Sequence, residues 1–182
     1  PDGNVTDLFS FPELQNFIGM LYVDSDNMVW GVSSTGDGVV LKYDRNSGAF
    51  VEFPIIIDGE KSSFNALAII DDEYGSMYLG TWENGIVKFN GRTGEGRLLT
   101  AGDVSDLWHI HSMTMYSPTS ILVGSDSGLC LVDANTGERK LYTNDELNPN
   151  SLSDRFVYPV TLASEGGLWV GTFYRGLNYQ NP

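Results

Sequence analysis

The sequence is short of cysteine, of positive charge and of long apolar runs, and each shortage removes a class of function. One cysteine, Cys130, excludes an internal disulfide. It lies in Leu129-Cys130-Leu131-Val132, where a small buried hydrophobe is the expected role, and it says little about compartment. Lys and Arg number 10 against 24 Asp and Glu, for a net charge of −14. A nucleic-acid reader displaces counterions with clustered cations, and ten scattered ones make no such footprint, so no nucleic acid is expected as a partner of this segment. The same imbalance disfavours polyanionic ligands, and the acidic excess reads as solvation. No stretch approaches the roughly 18 apolar residues of a membrane span, and no charged leader precedes an apolar segment. A membrane is expected to be met only through parts of a parent chain outside these residues. Nucleophile motifs are missing as well. There is no Gly-x-Ser-x-Gly, and neither histidine has a nucleophile at motif spacing.

What the sequence does have is a repeat. Leu168-Trp169-Val170-Gly171-Thr172 matches Ile121-Leu122-Val123-Gly124-Ser125, Met77-Tyr78-Leu79-Gly80-Thr81 and Met28-Val29-Trp30-Gly31-Val32. The glycines at 31, 80, 124 and 171 are 49, 44 and 47 residues apart. A short loop follows each match and ends in Gly38, Gly85, Gly128 or Gly176, and an apolar strand comes next. Then comes a turn: Asp44-Arg45-Asn46-Ser47-Gly48, Asn90-Gly91-Arg92-Thr93-Gly94 and Asp133-Ala134-Asn135-Thr136-Gly137. The Asx side chain accepts amide bonds within such a turn, and the glycine supplies the positive φ that closes it. With a strand before each match (17–23, 65–70, 109–116, 156–163) and a polar strand after each turn, a unit holds four strands in about 45 residues, the size of a propeller blade. The second strand is apolar on both faces of its pleat, as for a strand wedged between blades, and Trp30 and Trp169 are expected in the core.

The expected architecture is therefore all-β: about four blades of four-stranded antiparallel sheet in a single propeller segment, 1–182. Residues 1–11 read as the outer strand of a preceding blade. Units follow at 12–55, 56–100 and 101–143, with an incomplete blade at 144–182. Two readings stay open. The chain is an excerpt of a larger, seven-bladed propeller, or a four-bladed ring closes by pairing the strand at 5–11 with that at 177–179.

Trp169-Val170-Gly171-Thr172 followed by Gly176-Leu177-Asn178, with Asn148-Pro149-Asn150-Ser151-Leu152-Ser153 upstream, resembles the two-component regulator propeller repeat. The resemblance covers nearly the whole chain. It is weakest in the first unit, where Val29-Trp30-Gly31-Val32 stands for Trp-Val-Gly-Thr, and in the third, where Leu122 replaces the aromatic. It implies the periplasmic sensor region of a hybrid two-component histidine kinase of Bacteroides type. There, two seven-bladed propellers and an immunoglobulin-like module precede a membrane helix and kinase, receiver and DNA-binding parts. It further implies a homodimeric inner-membrane receptor that senses glycan fragments and switches on polysaccharide-use genes. No kinase or receiver motif is read in these residues, so a sensor segment without its own enzymatic activity is what carries over.

The candidate ligand site rests on loops that gather at one end of the blades. Trp82, Phe173 and Tyr174 lie in the loops after the second strands, where rings suit the flat C–H faces of a sugar, while Glu83, Asn84, Asp126 and Arg175 suit its hydroxyls. Packing against neighbouring blades is the competing role for these rings. The linkers between blades, such as 144–154, are expected at the same end, with Arg155. An oligosaccharide is the expected ligand. His109-Ile110-His111 places two imidazoles on one strand face, but a metal needs a third ligand and nothing fixes Asp103 or Asp106 in space, so no metal is expected. Asp24-Ser25-Asp26-Asn27 and Asp71-Asp72-Glu73 crowd oxygens as calcium sites do, yet both fall at the same turn of the repeat and are better read as turns. No cofactor motif is present. The alternatives are a propeller lyase of antibiotic-opening type using His109 or His111, and a protein-interaction scaffold.

Overall fold

The structure, a computed structural model, describes residues 18–33, 38–100 and 102–182. The strand expected within residues 1–11 lies outside that set. The first sheet runs β1 (Ile18–Val23), β2 (Val29–Ser33), β3 (Val40–Asp44), β4 (Ala49–Glu52) in spatial as in chain order. A small hairpin, β5 (Ile55–Ile57) and β6 (Glu60–Ser62), follows it. The second sheet holds β7 (Ala66–Asp71), β8 (Ser76–Thr81), β9 (Ile86–Asn90) and β10 (Gly96–Leu98). The third holds β11 (Ile110–Ser117), β12 (Ser120–Ser125), β13 (Gly128–Asp133) and β14 (Arg139–Tyr142). The fourth has three strands, β15 (Val157–Leu162), β16 (Leu168–Thr172) and β17 (Gly176–Gln180). All pairings between neighbouring strands are antiparallel, and a 3₁₀ turn at Ser105–Leu107 is the only helical element among the described residues. These are consecutive β-propeller blades. Their first strands pack on one another in chain order, β1 on β7, β7 on β11 and β11 on β15.

The turn chemistry works as the residue types require. The side-chain oxygens of Asp44, Asn90 and Asp133 accept the amides two residues on (3.0, 2.8 and 2.9 Å), and Gly48, Gly94 and Gly137 stand at φ 69°, 79° and 77°. Hydrogen bonds hold both carboxyls below the usual carboxylate range, the Asn46 amide and Ser47 hydroxyl for Asp44, and the Thr136 and Asn135 amides for Asp133. Gly94 and Gly137 also face the preceding blade. A Cβ there would stand 2.1 Å from the carbonyl oxygens of Pro54 and Leu99, so the turn of one blade closes on the linker of the one before.

Three sequence expectations need correction. The first unit is aligned one residue out. Trp30 pairs with Lys42 as Tyr78 pairs with Lys88 and Trp169 with Tyr179, so Trp30-Gly31-Val32-Ser33 is the true counterpart of Tyr78-Leu79-Gly80-Thr81. A Cβ on Gly80 or Gly124 would strike the next blade at Ile110 (2.5 Å) or Val157 (2.9 Å), whereas one on Gly31 would meet only its own sheet. Val32 is tolerated in place of the glycine at the first joint. Secondly, Trp169 is not core: it is 39% exposed, against 0% for Trp30, 1% for Tyr78 and 3% for Leu122 at the same repeat position. No described blade covers it. Thirdly, residues 55–62 form a hairpin that the four-strand unit does not include: Ile55-Ile56-Ile57 runs into Asp58-Gly59, both at positive φ (54° and 81°), which is a strong two-residue hairpin signal. The unit boundary drawn at 55/56 falls inside β5.

Apolar joints hold the blades together. Trp30, Val32 and Val40 bury against Ile69, Met77, Leu79, Val87 and Phe89 across the first joint. Ala68, Ile70, Tyr78 and Ile86 meet Ile110, Met113, Ile121, Val123, Cys130 and Val132 across the second. Leu122 and Leu129 meet Val157, Val160, Leu168 and Val170 across the third. Cys130 is buried in the second joint, and burial together with the nearby Asp106 charge pushes its thiol up to about 12, so it is an inert filler. Polar pins repeat too. Lys42 and Lys88 each lie over the aromatic of their own sheet, Trp30 and Tyr78, and donate to the carbonyls of Gly91 and Ala134 in the next blade at 3.0 and 3.1 Å. Asp24 accepts from the Met28 amide and Trp30 Nε1, and Asp72 accepts from the Ser76 amide and the Tyr78 hydroxyl. The two acidic turns thus brace the aromatic of the second strand, as turn residues.

Candidate functional site

The site starts from one repeated hydroxyl. Thr81, Ser125 and Thr172 end the second strands, and each donates to the carbonyl of the glycine that ends its loop: Gly85 at 2.8 Å, Gly128 at 3.3 Å, Gly176 at 3.0 Å. Thr81 and Ser125 also accept an amide from within the loop, Asn84 and Ser127. The residue after the hydroxyl then donates its amide to a carbonyl one or two residues before the first strand of its sheet. Trp82 bonds Asn65, Asp126 bonds Trp108 and Phe173 bonds Phe156, at 2.9, 3.0 and 3.0 Å. Trp82, Asp126 and Phe173 therefore leave their blades from equivalent points at one end.

Residues flanking the first strands meet them there. His109 Nδ1 and Asp126 Oδ2 lie 2.8 Å apart, and His111 Nε2 and Asp126 Oδ1 also 2.8 Å apart. One carboxylate is held between two imidazoles. With Asp126 ionised, both imidazoles donate to it, so His109 carries its proton on Nδ1 and His111 on Nε2. In those tautomers the opposite ring nitrogens are the acceptors. Rings extend the cluster on both sides. His109 lies against Trp82 (4.4 Å between centroids) and Trp108 (5.3 Å). His111 stacks on Tyr158 at 3.9 Å and 13°, Tyr158 meets Phe173 at 5.2 Å, and Tyr174 packs edge-on against Phe173 and Phe156. The row spans three blades, and Trp82, Trp108, Phe173 and Tyr174 keep exposed surface.

The expectation of two imidazoles on one strand face is corrected in detail. β11 begins at Ile110, and His109 precedes it at φ 51°, in the left-handed region. That conformation costs a residue other than glycine on the order of 1 kcal/mol or more. Here it is held by the His109 amide bonding Trp82 O in the loop of the preceding blade (2.9 Å) and by the ring's bond to Asp126. The kink and a bulge between Ile110 and Ser112 let both rings reach the same carboxylate.

Of the seven ligand candidates, Trp82, Asp126, Phe173 and Tyr174 come together. Glu83, Asn84 and Arg175 stand exposed on the same loops, and no described hydrogen bond or ring contact joins their side chains to the cluster. Arg155 lies over Phe156 at 4.5 Å. His109 and His111 were weighed for a metal and set aside, while Trp108, Phe156 and Tyr158 were missed. A signal for these existed: Phe156-Val157-Tyr158 occupies the repeat position of His109-Ile110-His111, with Ile110 and Val157 pairing alike to Ser125 and Thr172. Among the described residues, no group of three or more His, Cys, Asp and Glu is placed to hold a metal ion. No described helix is long and apolar enough to cross a membrane.

No protein-family model matches the chain, and no curated protein matches it. Solved structures do. The extracellular domain of BT4673, a proposed hybrid two component system of B. thetaiotaomicron, superimposes with a TM-score of 0.76 at 21% identity over 95% of this chain and 23% of that one. The extracellular domain of BT3049, a proposed hybrid two component system of the same organism, gives 0.59 at 15% identity, over 91% and 27%. A gluconolactonase from Xanthomonas campestris gives 0.63 at 11% identity, over 89% and 56%. The chain spans about a quarter of the length of the two extracellular domains. Its fold is that of the β-propeller blades which the extracellular domains of these Bacteroides two component systems also contain.

Proposed function

We propose that the chain is a periplasmic ligand-sensing segment of a hybrid two-component sensor histidine kinase, and that it recognises a neutral or weakly charged glycan at the end of the blades carrying Asp126. One observation carries this reading: loops of three blades converge on a carboxylate held between two imidazoles and flanked by exposed rings. A sugar offers apolar C–H faces, which Trp82, Trp108, Phe173 and Tyr174 suit, and a rim of hydroxyls, for which Asp126 and the free imidazole nitrogens supply acceptors. The net charge of −14 opposes sulfated or uronate-rich chains. A ligand bridging blades 2 to 4 favours one relative setting of those blades, and such a bias is what a homodimeric membrane receptor passes inward to control polysaccharide-use genes. The fold shared with two extracellular domains of this kind supports the class. Calorimetry of the sensor region against a glycan panel tests it, with Trp82→Ala and Tyr174→Ala beside the wild type. Weakened binding in both variants, with folding intact, supports the site, and unchanged affinity in both places it elsewhere.

A second reading is favoured by the 2.8 Å contact of His109 Nδ1 with Asp126. A carboxylate that fixes an imidazole's tautomer leaves Nε2 as a general base, the arrangement a propeller lyase using a face histidine needs. The gluconolactonase shows that the fold hosts an enzyme elsewhere. Turnover of a small molecule that disappears in His109→Ala would establish this reading over the sensor one.

A further inference from the structure

The third blade departs from its neighbours at two points, and the two departures bond each other. In the second and fourth blades the residue after the loop hydroxyl is an aromatic, Trp82 or Phe173, and in the third it is Asp126. The other departure is in the backbone. Ala66, Ile110 and Val157 are equivalent, since they pair with the hydroxyl residues Thr81, Ser125 and Thr172. The loop amide goes to Asn65 O and Phe156 O, one residue before Ala66 and Val157, but to Trp108 O, two residues before Ile110. The third blade therefore holds one extra residue between this anchor and its first strand, and that residue is His109.

His109 stands at φ 51°, whereas Asn65 and Phe156 keep negative φ. Among the described residues, the other non-glycine residues at positive φ are Asn27, Asp58 and Glu73, and all three sit in hairpin turns, where the chain reverses. His109 reverses nothing, and the neighbouring blades show that the fold does not require the insertion. An extra residue of this kind re-aims a side chain. Here it aims the imidazole whose Nδ1 lies 2.8 Å from Asp126 Oδ2. Strain where the architecture does not demand it points to a site. The two histidines also differ in cover. His111 has one face on Tyr158 at 3.9 Å and 13°, and its side chain is 13% exposed. His109 keeps 25% of its side chain exposed, beside Trp82 at 4.4 Å and Trp108 at 5.3 Å.

Both Asp126 oxygens are engaged by the rings. With the His109 proton on Nδ1, its Nε2 is the least committed acceptor of the cluster, next to two tryptophans that keep exposed surface. We infer that His109 is the specificity-determining residue of this site: its Nε2 accepts from one hydroxyl at the edge of a sugar whose C–H face lies on Trp82 or Trp108, while Asp126 and His111 are positioning residues that fix its tautomer and aim its ring. The inference rests on the glycan reading and narrows it to a ligand with a free hydroxyl at that edge. An acceptor preorganised for one hydroxyl discriminates against the analogue that lacks it, because the acceptor is then left unpaired.

The probes are the neutral oligosaccharide that the glycan panel selects and its monodeoxy analogues, each lacking one hydroxyl. In calorimetry the wild type is expected to bind one analogue roughly tenfold more weakly than the parent sugar. His109→Gly keeps the left-handed backbone without steric cost and removes the acceptor, so it is expected to bind the parent and that analogue alike. His111→Phe keeps a ring on Tyr158 and is expected to bind the parent more weakly while still discriminating. A merely structural His109 would weaken both probes by the same factor. The tautomers are read without any sugar, by nitrogen NMR of the neutral side chains. The chain has two histidines, so His111→Phe assigns both signals. A proton on Nδ1 of His109 and on Nε2 of His111 is expected. Circular dichroism checks that both variants keep their strand signature, and the wild-type tautomers decide where one does not. A His109 proton on Nε2, or discrimination that survives His109→Gly, would overturn the inference. A wild type that discriminates against no analogue, yet loses affinity in Trp82→Ala, would overturn it and leave the glycan reading standing. A wild type that binds no member of the panel would remove both.

Discussion

Asp71 and Asp126 are both carboxylates fixed by several bonds, at opposite ends of the blades, and they differ in what holds them. Asp71 accepts from the Tyr22 and Ser25 hydroxyls at 2.6 Å each and from the Ser25 and Glu73 amides at 3.2 and 3.3 Å. It ties the first sheet to the second through donors that keep their protons across the physiological range. Asp126 is held by two imidazoles, and rings with exposed surface surround it. A carboxylate saturated by permanent donors makes a joint. One held by two partly exposed imidazoles beside exposed rings is available to a ligand. Burial and the chemistry of the partners both separate the two roles: Asp71 is buried, and Asp126 keeps partial exposure.

The comparison is broken most sharply at the joint. Asp71→Ala leaves two hydroxyls and two amides short of an acceptor and is expected to cost about 2–4 kcal/mol, read as a lowered denaturation midpoint in urea. Asp126→Ala is expected to change stability much less and ligand affinity more. Acid sharpens the same contrast. Burial pushes the Asp71 carboxyl up, but the hydrogen bonds from Ser25, Tyr22 and the backbone outweigh it, so its folded pKa lies below the unfolded one. Its contribution is therefore complete above the ordinary carboxylate range, near pH 4, and is lost as pH falls through the folded value. Equilibrium unfolding from pH 6 downward should show that loss in the wild type, and Asp71→Asn should flatten it.

Smaller effects belong to the ligand end. Trp82→Ala should remove roughly 1–3 kcal/mol of glycan affinity, by analogy with aromatic stacking on other ligands, with little change in thermal stability. Thr81→Val removes the buried hydroxyl that links the loop's amide and carbonyl, and about 1–2 kcal/mol of stability is expected to go with it. Arg92→Ala is the smallest. Its bridge to Asp26 is 3.6 Å long with both side chains largely exposed, and such pairs contribute about 0–1 kcal/mol. A denaturant midpoint within error of the wild type is the expected result, and a large shift would show that the first joint depends on its rim.

Much of the fold is legible in the chain because each blade repeats one local solution. Asx–hydroxyl–glycine turns, a hydroxyl before the loop and an apolar second strand are satisfied within a few residues, so spacing reveals them. Glycine does not mark the equivalent position in the first unit, because the real constraint is the clearance to the next blade, which Val32 also meets. Trp82, Phe173 and Tyr174 could be placed at one end from the repeat. Their connection through His109, Asp126, His111 and Tyr158 could not be read, because it depends on a left-handed residue and on the angle between blades.

The sequence by itself determined four-stranded units, their order and the end at which the loops gather, since these follow from hydrogen bonds and turns closed within each unit. Only the tertiary structure decided that Asp126 lies between two histidines and that Trp30 is buried while Trp169 is bare. Those outcomes depend on which surface meets which across blades roughly 45 residues apart in the chain, and side-chain volume at that distance leaves no local mark.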